Sequence, residues 1–234
     1  MKAIILAGGS GMRLQSVVKD VPKPMAPVDG RPFLEFLITR LVNSGIIEIV
    51  LSVGYMHEKI VSHFGDGSQL GASISYCVES EPVGTGGAIR ESLRMLDAGE
   101  AFVLNGDTFS AVDTDSLALF HTSSKAMVSM AVVPAADASR YGTVQVSHEG
   151  RVTSFLEKQA GGSNLVNTGT YICNRSILDL IPSGKVSFEH DVLPVILSQG
   201  MLAAQVQDVQ FIDIGIPEDY RRFCLDHSVY TIEH

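Results

Sequence analysis

The chain is poor in cysteine and has no cysteine or histidine pattern that would bind a metal. Its 234 residues include three cysteines without CxxC spacing and seven histidines without the spacing of metal ligands. Cys77 and Cys173 lie in apolar, strand-like segments, which indicates buried thiols, and Cys224 lies in a helix-like segment. Because an odd number of thiols without a pairing pattern is typical of a reducing compartment, we expect a cytoplasmic protein.

Long apolar runs and an excess of basic residues are also missing. No segment is long and apolar enough to span a membrane, and the first residues have the pattern of a strand and not of a signal peptide. With 17 basic and 26 acidic side chains, the formal net charge is −9, which argues against a nucleic-acid partner. An acidic protein can still bind an anionic small molecule through a few well-placed cations and a divalent metal ion.

What the sequence does contain is an alternation of apolar, strand-like runs with helix-like periodic segments, which predicts an α/β fold. The predicted elements of the first half, strands and helices in alternation, are 2–5, 32–43, 46–53, 55–64, 73–78, 87–96 and 101–104. This order predicts a parallel, doubly wound, Rossmann-like sheet.

Closely spaced strands follow from about residue 126, which predicts mixed or antiparallel additions to the same sheet. These strands are expected at 126–133, 143–147, 151–157 and 166–173. They are followed by helices at 175–181 and 189–199, a strand at 210–214 and a helix from 217. A chain of 234 residues with 45% hydrophobic residues can build one large core, so we expect a single domain over 1–234.

A glycine-rich turn, LAGGSGMRL, follows the first strand directly. It is not a dinucleotide fingerprint, because the third glycine would fall on Leu14, and no Gly-Lys-Ser or Gly-Lys-Thr follows as in a Walker A loop. Backbone N–H groups in such a turn bind phosphate, and Arg13 at its mouth favours a polyphosphate over a purely structural turn. The candidate nucleotide-binding residues of this turn are Leu6, Ala7, Gly8, Gly9, Ser10 and Gly11.

Lys23 provides a second cation close behind this turn. Two prolines, Pro22 and Pro24, bracket it and restrict the backbone, so its ammonium group is held in a fixed place. A solvated loop lysine is the alternative. Together with Arg13, Lys23 is predicted to bind the same triphosphate.

A second glycine-rich turn, EPVGTGGA, follows the third strand. Turns at the carboxyl ends of adjacent parallel strands face one crevice, so this turn is expected to flank a nucleobase, with Gly84 and Thr85 in contact with the nucleotide. Glu79 ends the same strand, and its carboxylate can accept from the two adjacent donors of guanine. This favours GTP over UTP, with Glu81 as a rival for the role and a solvent-facing Glu79 as the alternative.

Two aspartates end strands at the same predicted crevice. Asp107 follows the fourth strand in the sequence NGD, and Asp213 ends the last strand in FIDIG. Each aspartate alone is more often a turn former or a helix cap. As a pair near a phosphate cluster, they are the ligands that Mg²⁺ prefers, so we expect a magnesium site.

Polar residues in otherwise apolar strands mark a candidate sugar-phosphate site. Glu157 and Asn167 are placed to bond sugar hydroxyls, Lys158 to pair with a second phosphate, and Gly142 to allow close backbone approach. Asn105 in NGD is assigned to the same group. Surface-facing strand positions are the alternative.

Taken together and in this order, the segments resemble the sugar-1-phosphate nucleotidyltransferases. The resemblance covers nearly the whole chain and is carried by AGGSGMRL, PKPM, EPVGTGGA, NGD, FLEK, VNTG and FIDIGIPEDY. Within the family, PKPMAPV, RPFLEF, VLNGDTF and RYGTV are most similar to enzymes that act on D-glycero-α-D-manno-heptose 1-phosphate and GTP. Position 12 is Met where many relatives carry Thr.

The resemblance implies the nucleotidyltransferase fold, with a nucleotide-binding half at about 1–125 and a sugar-binding half at about 126–234. It implies that Arg13 binds the leaving pyrophosphate and Lys23 the α-phosphate. The glycine-rich turn would hold the nucleotide, and the magnesium and sugar-phosphate residues would be those named above.

The implied reaction transfers a nucleoside monophosphate from a nucleoside triphosphate, GTP favoured, to a sugar 1-phosphate for surface polysaccharide precursors. Mannose 1-phosphate with GTP, and N-acetylmuramate 1-phosphate with UTP, are the alternatives. A non-catalytic regulatory homologue would be expected to have lost Arg13, Lys23 or an aspartate, and none is lost. The sequence leaves open which sugar is used and whether the chain forms a homo-oligomer.

Overall fold

The computed structural model describes residues 1–9, 14, 18, 20–138, 140–156 and 163–227. The α-helices in these ranges are α1 (Phe33–Asn43), α2 (His57–Phe64), α3 (Gly84–Met95), α4 (Thr114–Ser124), α5 (Leu193–Ser198) and α6 (Pro217–Leu225). The strands are β1 (Lys2–Leu6), β2 (Pro27–Val28), β3 (Arg31–Pro32), β4 (Glu48–Val53), β5 (Ser73–Val78), β6 (Glu100–Asn105), β7 (Thr108–Ser110), β8 (Val128–Pro134), β9 (Thr143–Val146), β10 (Val152–Leu156), β11 (Leu165–Asn174), β12 (Leu202–Val206) and β13 (Phe211–Asp213).

Most of the strands form one mixed sheet in the order β12-β8-β11-β6-β1-β4-β5. Parallel pairs join β6, β1, β4 and β5, as the alternating pattern of the first half predicts. The long strand β11 runs antiparallel to both β6 and β8 and also pairs with the β9–β10 hairpin. The predicted doubly wound sheet with antiparallel additions is confirmed.

The strand order places a switch point between β1 and β6. The chain moves outward from β1 to β4 and β5, and then returns to the other side of β1 as β6. In open α/β sheets, ligands bind at the carboxyl ends of the strands where the winding direction reverses. The turns after β1 and β6 therefore lie where a site is expected.

Both faces of the sheet are covered, which explains why its central strands are apolar throughout. Successive side chains of β1 point to opposite faces: Ile5 packs with α1 residues such as Leu37, whereas Ile4 packs with α3 residues such as Ile89. The predicted helical face of α1 is buried as expected, with Phe33 0% exposed. The two packed faces hold the strand ends, and thus the turns, in fixed positions.

The structure corrects several predictions at the level of elements. The helix expected at 175–181 is a 3₁₀ helix over Arg175–Leu180, and α3 begins at Gly84 instead of residue 87. Helix α4 and strand β12 were not predicted. The segment expected to be helical at 189–199 begins as a π-helical turn over Phe188–Val192 and continues as α5.

Two small features position the site. Lys23–Met25 form a 3₁₀ turn, and the short strands β7 and β13 form an antiparallel ribbon in which Asp213 lies opposite Thr108. The ribbon brings the turn after β6 together with the last strand of the chain. Within the described residues, no helix is long and apolar enough to cross a membrane.

Candidate active site

The turns after β1 and β6 contact each other through the backbone. The Gly106 N–H donates to the Leu6 carbonyl oxygen at 2.9 Å, and a Cβ placed on Gly106 would lie 2.6 Å from that oxygen. A glycine is therefore required between Asn105 and Asp107. The Ala7 N–H donates to the Ser52 carbonyl at 2.7 Å, which fixes the start of the first glycine-rich turn at the end of β4.

Lys23, Asp107 and Asp213 converge on one point. The Lys23 ammonium donates to Oδ2 of Asp107 at 2.5 Å and lies 3.7 Å from Oδ1 of Asp213. The lysine side chain is only 9% exposed, whereas the carboxylates are 40% and 24% exposed. The residues come from three distant parts of the chain, and their sequence motifs predict phosphate or metal binding for all three.

The chemistry of this cluster suits a cation held between two carboxylates. Burial tends to raise the pKa of Asp107, but the charge of Lys23 and hydrogen bonds from Lys23 and Thr108 hold that pKa below its usual range. The Gly215 N–H donates to Oδ1 of Asp213 at 2.7 Å and orients that carboxylate. Asp107 is thus held in its ionised form, and the carboxylates of Asp107 and Asp213 both face the Lys23 ammonium group.

A cavity of about 390 Å³ opens beside this cluster. Among the predicted site residues, those that line it are Gly84, Thr85, Asn105, Asp107, Gly142, Asn167 and Asp213. Residues that are predicted to bind the nucleotide, the metal ion and the sugar phosphate thus line the same cavity. Lys23 adjoins the cavity through Asp107.

The sugar-phosphate candidate Asn167 is held in place by local bonds. A register shift interrupts β11 between Asn167 and Tyr171, and Gly169 there takes a φ of +73°. Asn167 donates to the Tyr171 hydroxyl at 2.6 Å and accepts from the Gly169 N–H at 3.1 Å. Its own N–H donates to the Gly142 carbonyl at 2.9 Å, so the two predicted residues are neighbours.

Glu79 lies against the first glycine-rich turn. Its Oε1 accepts from the Ser52 hydroxyl at 3.2 Å, and a Cβ placed on Gly8 would lie 2.5 Å from that same oxygen. A Cβ on Gly9 would meet nothing within 4 Å. The predicted base reader and the predicted nucleotide turn are therefore in contact, away from the cavity that the sugar-phosphate candidates line.

Thr85 has a structural partner that the sequence did not reveal. Its hydroxyl donates to Oε2 of Glu189 at 2.7 Å and accepts from the Phe188 N–H at 2.8 Å. The Gly86 N–H donates to the Val186 carbonyl at 2.9 Å. The second glycine-rich turn is thus fastened to the segment that precedes α5.

Several residues that line the cavity were not predicted. They include Thr108, Arg140, Lys185, Ser187, Glu189, His190 and Phe211. Arg140 directly precedes Tyr141-Gly142, so the segment RYGT was itself a signal for it. Lys185 and Glu189 lie in a stretch without a motif, and only the fold brings them to the site.

Comparison with known proteins adds to this geometry. The sequence profile described as Nucleotidyl transferase matches residues 2–227. The chain belongs to the nucleotidyl transferase family. The resemblance inferred from the sequence motifs is thereby confirmed.

Guanylyltransferases are among the curated relatives of this nucleotidyl transferase. It is 43% identical to D-glycero-alpha-D-manno-heptose 1-phosphate guanylyltransferase from Aneurinibacillus thermoaerophilus, over 95% of this chain and 96% of that protein. It is 38% identical to mannose-1-phosphate guanylyltransferase from Mycobacterium tuberculosis, over 96% of this chain and 64% of that protein.

A solved structure supports the same relationship. HddC from Yersinia pseudotuberculosis, complexed with GMP-PN, superimposes on this nucleotidyl transferase with a TM-score of 0.85 at 37% identity. The match covers 97% of this chain and 99% of that one. The fold prediction is confirmed by this likeness.

Five of the predicted site residues lie outside the described residues: Ser10, Gly11, Arg13, Glu157 and Lys158. Their assignments stay predictions. Within the described residues, no group of three or more His, Cys, Asp or Glu side chains is arranged to hold a metal. Asp107 and Asp213 form a pair of carboxylates around Lys23, and their assignment to a metal ion stays a prediction.

Proposed function

We propose that this chain transfers GMP from GTP to D-glycero-α-D-manno-heptose 1-phosphate and releases pyrophosphate. The observation that carries the proposal is the convergence of Lys23, Asp107 and Asp213 at the switch point of the sheet, beside a cavity lined by polar residues. The similarity to heptose 1-phosphate guanylyltransferases over 95% of the chain supports the choice of substrates.

The reaction requires two anions to approach each other. A phosphate oxygen of the sugar 1-phosphate attacks the α-phosphorus of GTP in line, a new P–O bond forms, and the bond to the leaving pyrophosphate breaks. The nucleophile is already ionised, so no protein group has to remove a proton. The protein therefore has to neutralise charge and align the reacting groups.

The residues of the cluster are suited to that task. In our proposal Lys23 neutralises the charge of the α-phosphate. Arg13 binds the leaving pyrophosphate, and Lys158 binds the phosphate of the sugar. Nucleotidyl transferases generally use a divalent metal ion. Mg²⁺ would be held by Asp107 and Asp213 and would supply charge neutralisation for phosphate oxygens when bound.

GTP is favoured by the position of Glu79. An ionised carboxylate accepts hydrogen bonds from both the ring N–H and the exocyclic amine of guanine. Its contact with Gly8 supports a base site beside the first glycine-rich turn. The relative that was solved with GMP-PN is consistent with a guanine nucleotide.

Mannose 1-phosphate is the second candidate acceptor. The mannose-1-phosphate guanylyltransferase from Mycobacterium tuberculosis is 38% identical over 96% of this chain, but this chain spans only 64% of that protein. The higher identity to the heptose enzyme, 43% over 95% of this chain, favours heptose 1-phosphate. We place the reaction in the cytoplasm, where the buried free thiols Cys77 and Cys173 stay reduced.

The decisive experiment is a pyrophosphate-release screen of the purified protein. Each of four nucleoside triphosphates is combined with heptose 1-phosphate, mannose 1-phosphate and N-acetylmuramate 1-phosphate. We expect the highest kcat/KM for GTP with heptose 1-phosphate. A higher value for mannose 1-phosphate would establish the second candidate, and no release with any pair would reject the proposed function.

A further inference from the structure

The loop between β8 and β9 carries an arginine, in the segment RYGT, to which the sequence motifs assigned no role. Arg140 lines the cavity, and its side chain is 42% exposed. Its Nη2 group lies 3.1 Å from Oδ2 of Asp219 and donates to the Tyr141 hydroxyl at 3.3 Å. In the described part of the chain, its Nε and Nη1 donors have no acceptor. The guanidinium is thus anchored at one end, and with respect to the described residues its other donors are available beside the cavity.

The anchor of this arginine is a buried carboxylate. The Asp219 side chain is only 6% exposed and lies in the first turn of α6, where it also pairs with Arg222 at 3.1 Å. The two guanidinium groups compensate the charge of this carboxylate at ion-pair distance, and in the described part of the chain its Oδ2 forms no hydrogen bond, so the contact with Arg140 is electrostatic. Arg222 is 58% exposed and does not line the cavity, so Arg140 is the partner that faces the site.

The same loop is packed against the strand that carries Asp213. The rings of Tyr141 and Phe211 meet edge to face with centroids 5.1 Å apart, and Phe211 lies two residues before Asp213 on β13. Burial raises the pKa of Tyr141, the positive charge of Arg140 opposes this, and the negative charges of Asp219 and Asp213 add to it. The guanidinium therefore lies on the metal-aspartate side of the cavity.

We propose that Arg140 binds the phosphate group of the sugar 1-phosphate and that Asp219 positions it for that contact. The assignment rests on the proposed function, which supplies the anionic ligand. A planar guanidinium with free donors matches two phosphate oxygens, and a partner that is already ordered loses little side-chain freedom on binding. Lys185 also lines the cavity, but in the described part of the chain no acid holds it in place.

The test compares four variants by steady-state kinetics, with the sugar 1-phosphate varied at saturating GTP. Arg140→Gln should raise the KM for the sugar 1-phosphate by roughly tenfold or more, while the KM for GTP stays within about twofold, because a contact present in both ground and transition state changes KM and not kcat. Arg140→Lys keeps the positive charge but lacks the planar guanidinium group, so its KM for the sugar 1-phosphate should lie between those of the wild type and Arg140→Gln. Asp219→Asn should give an intermediate KM.

Arg222→Gln is the matched control, because it removes the other partner of Asp219 without touching the cavity. It should leave both KM values unchanged. Binding of the sugar 1-phosphate in the presence of a non-hydrolysable GTP analogue should follow the same order as KM, independently of turnover.

The outcomes separate the two proposals. If the wild type is active and Arg140→Gln has the same KM for the sugar 1-phosphate, the proposed role of Arg140 is overturned and the proposed function is not. An equal KM rise in Arg222→Gln would assign the effect to general loss of the Asp219 cluster and would also overturn it. Unchanged KM in Asp219→Asn would remove Asp219 from the proposal. A wild type that uses and binds no sugar 1-phosphate would reject the proposed function and this inference together.

Discussion

The ammonium group of Lys23 donates a 2.5 Å hydrogen bond to the carboxylate of Asp107, although the two residues are 84 positions apart. The lysine lies in the turn that prolines enclose, and the aspartate follows β6. This ion pair joins the two sequence motifs that were assigned separately to phosphate and to metal. A substitution in one motif should therefore change the electrostatic surroundings of the charged residue in the other.

Replacement of Lys23 should therefore affect catalysis far more than folding. Lys23→Ala should lower kcat by roughly 10²-fold or more, comparable to the loss of one preorganised electrostatic donor. Asp107 is 40% exposed, so water can solvate its carboxylate in the variant, and the melting temperature should change little. Lys125→Ala, at an exposed lysine that follows α4, is the control and should keep wild-type kcat. An unchanged kcat in Lys23→Ala would remove Lys23 from the catalytic set.

The dependence of activity on Mg²⁺ should involve both Asp107 and Asp213. Activity should require Mg²⁺ and disappear in chelator, and Asp107→Asn and Asp213→Asn should each raise the Mg²⁺ concentration needed for half-maximal rate, because an amide is a poorer ligand for a hard cation. Direct titration of Mn²⁺ binding by electron paramagnetic resonance provides a readout without turnover. Asp115→Asn, on the exposed part of α4, is the control. Full activity in chelator would contradict the site, and a defect in one variant alone would reduce it to one aspartate.

Base selection should depend on Glu79. Glu79→Gln should lower kcat/KM for GTP at least tenfold through KM and should narrow the preference over UTP, because a charge-assisted hydrogen bond worth on the order of 1.5–3 kcal/mol is lost.

A pair of glycine variants gives an independent check of the base site. Gly8→Ala brings a methyl group 2.5 Å from Oε1 of Glu79, whereas Gly9→Ala meets nothing within 4 Å. Gly8→Ala should therefore reduce the GTP-over-UTP ratio, and Gly9→Ala should change it less. Equal ratios in the wild type and in Glu79→Gln would show that Glu79 does not read the base.

Stability should fall in mild acid because of a buried histidine away from the site. His121 is 3% exposed, its Nδ1 lies 2.8 Å from the Ser129 hydroxyl, and its Nε2 lies 3.5 Å from Oε2 of Glu100. Burial lowers its pKa below the usual value, and the charge of Glu100 only partly opposes this. The unfolded chain therefore takes up a proton first as the pH falls.

The free energy of unfolding should accordingly decrease as the pH is lowered below about 6.5, the ordinary pKa of histidine, until the folded state is protonated as well. Urea unfolding at a series of pH values measures this slope. His121→Gln should flatten it, and His148→Gln, at an exposed position, should not. An equal slope in the wild type and in His121→Gln would assign the acid sensitivity to other groups.

The sequence predicted those elements whose hydrophobic pattern is regular, which are strands buried on both faces of the sheet and helices with one apolar face. The strands β1, β4 and β6 are continuous apolar runs, and the helical spacing of Phe33, Leu37 and Leu41 is regular. Helix α4 was missed because its apolar residues do not keep to one face: Leu119 is 74% exposed, whereas the polar His121 is buried. Its Asp113 cap, which accepts from the Ser116 N–H at 2.9 Å, was the available signal.

Candidate site residues could be predicted where they lie in a recognisable sequence motif. Lys23, Asp107 and Asp213 were named from glycine, proline and strand-end patterns, and the fold brings them together. Arg140 and Glu189 were not, because their roles depend on partners almost 80 or more positions away: Arg140 pairs with Asp219, and Glu189 accepts from Thr85. No local pattern encodes such a pairing.

The β7–β13 ribbon has a consequence for synthesis of the protein on the ribosome. Asp213 reaches the Lys23 cluster only when β13 pairs with β7, and that pairing joins positions about 100 residues apart. A nascent chain that has emerged only as far as β12 already contains both glycine-rich turns but lacks the second carboxylate. Contacts of such long sequence separation form late in folding. The pair of carboxylates that we propose to hold the metal ion therefore comes together only after β13 has been made and has paired with β7.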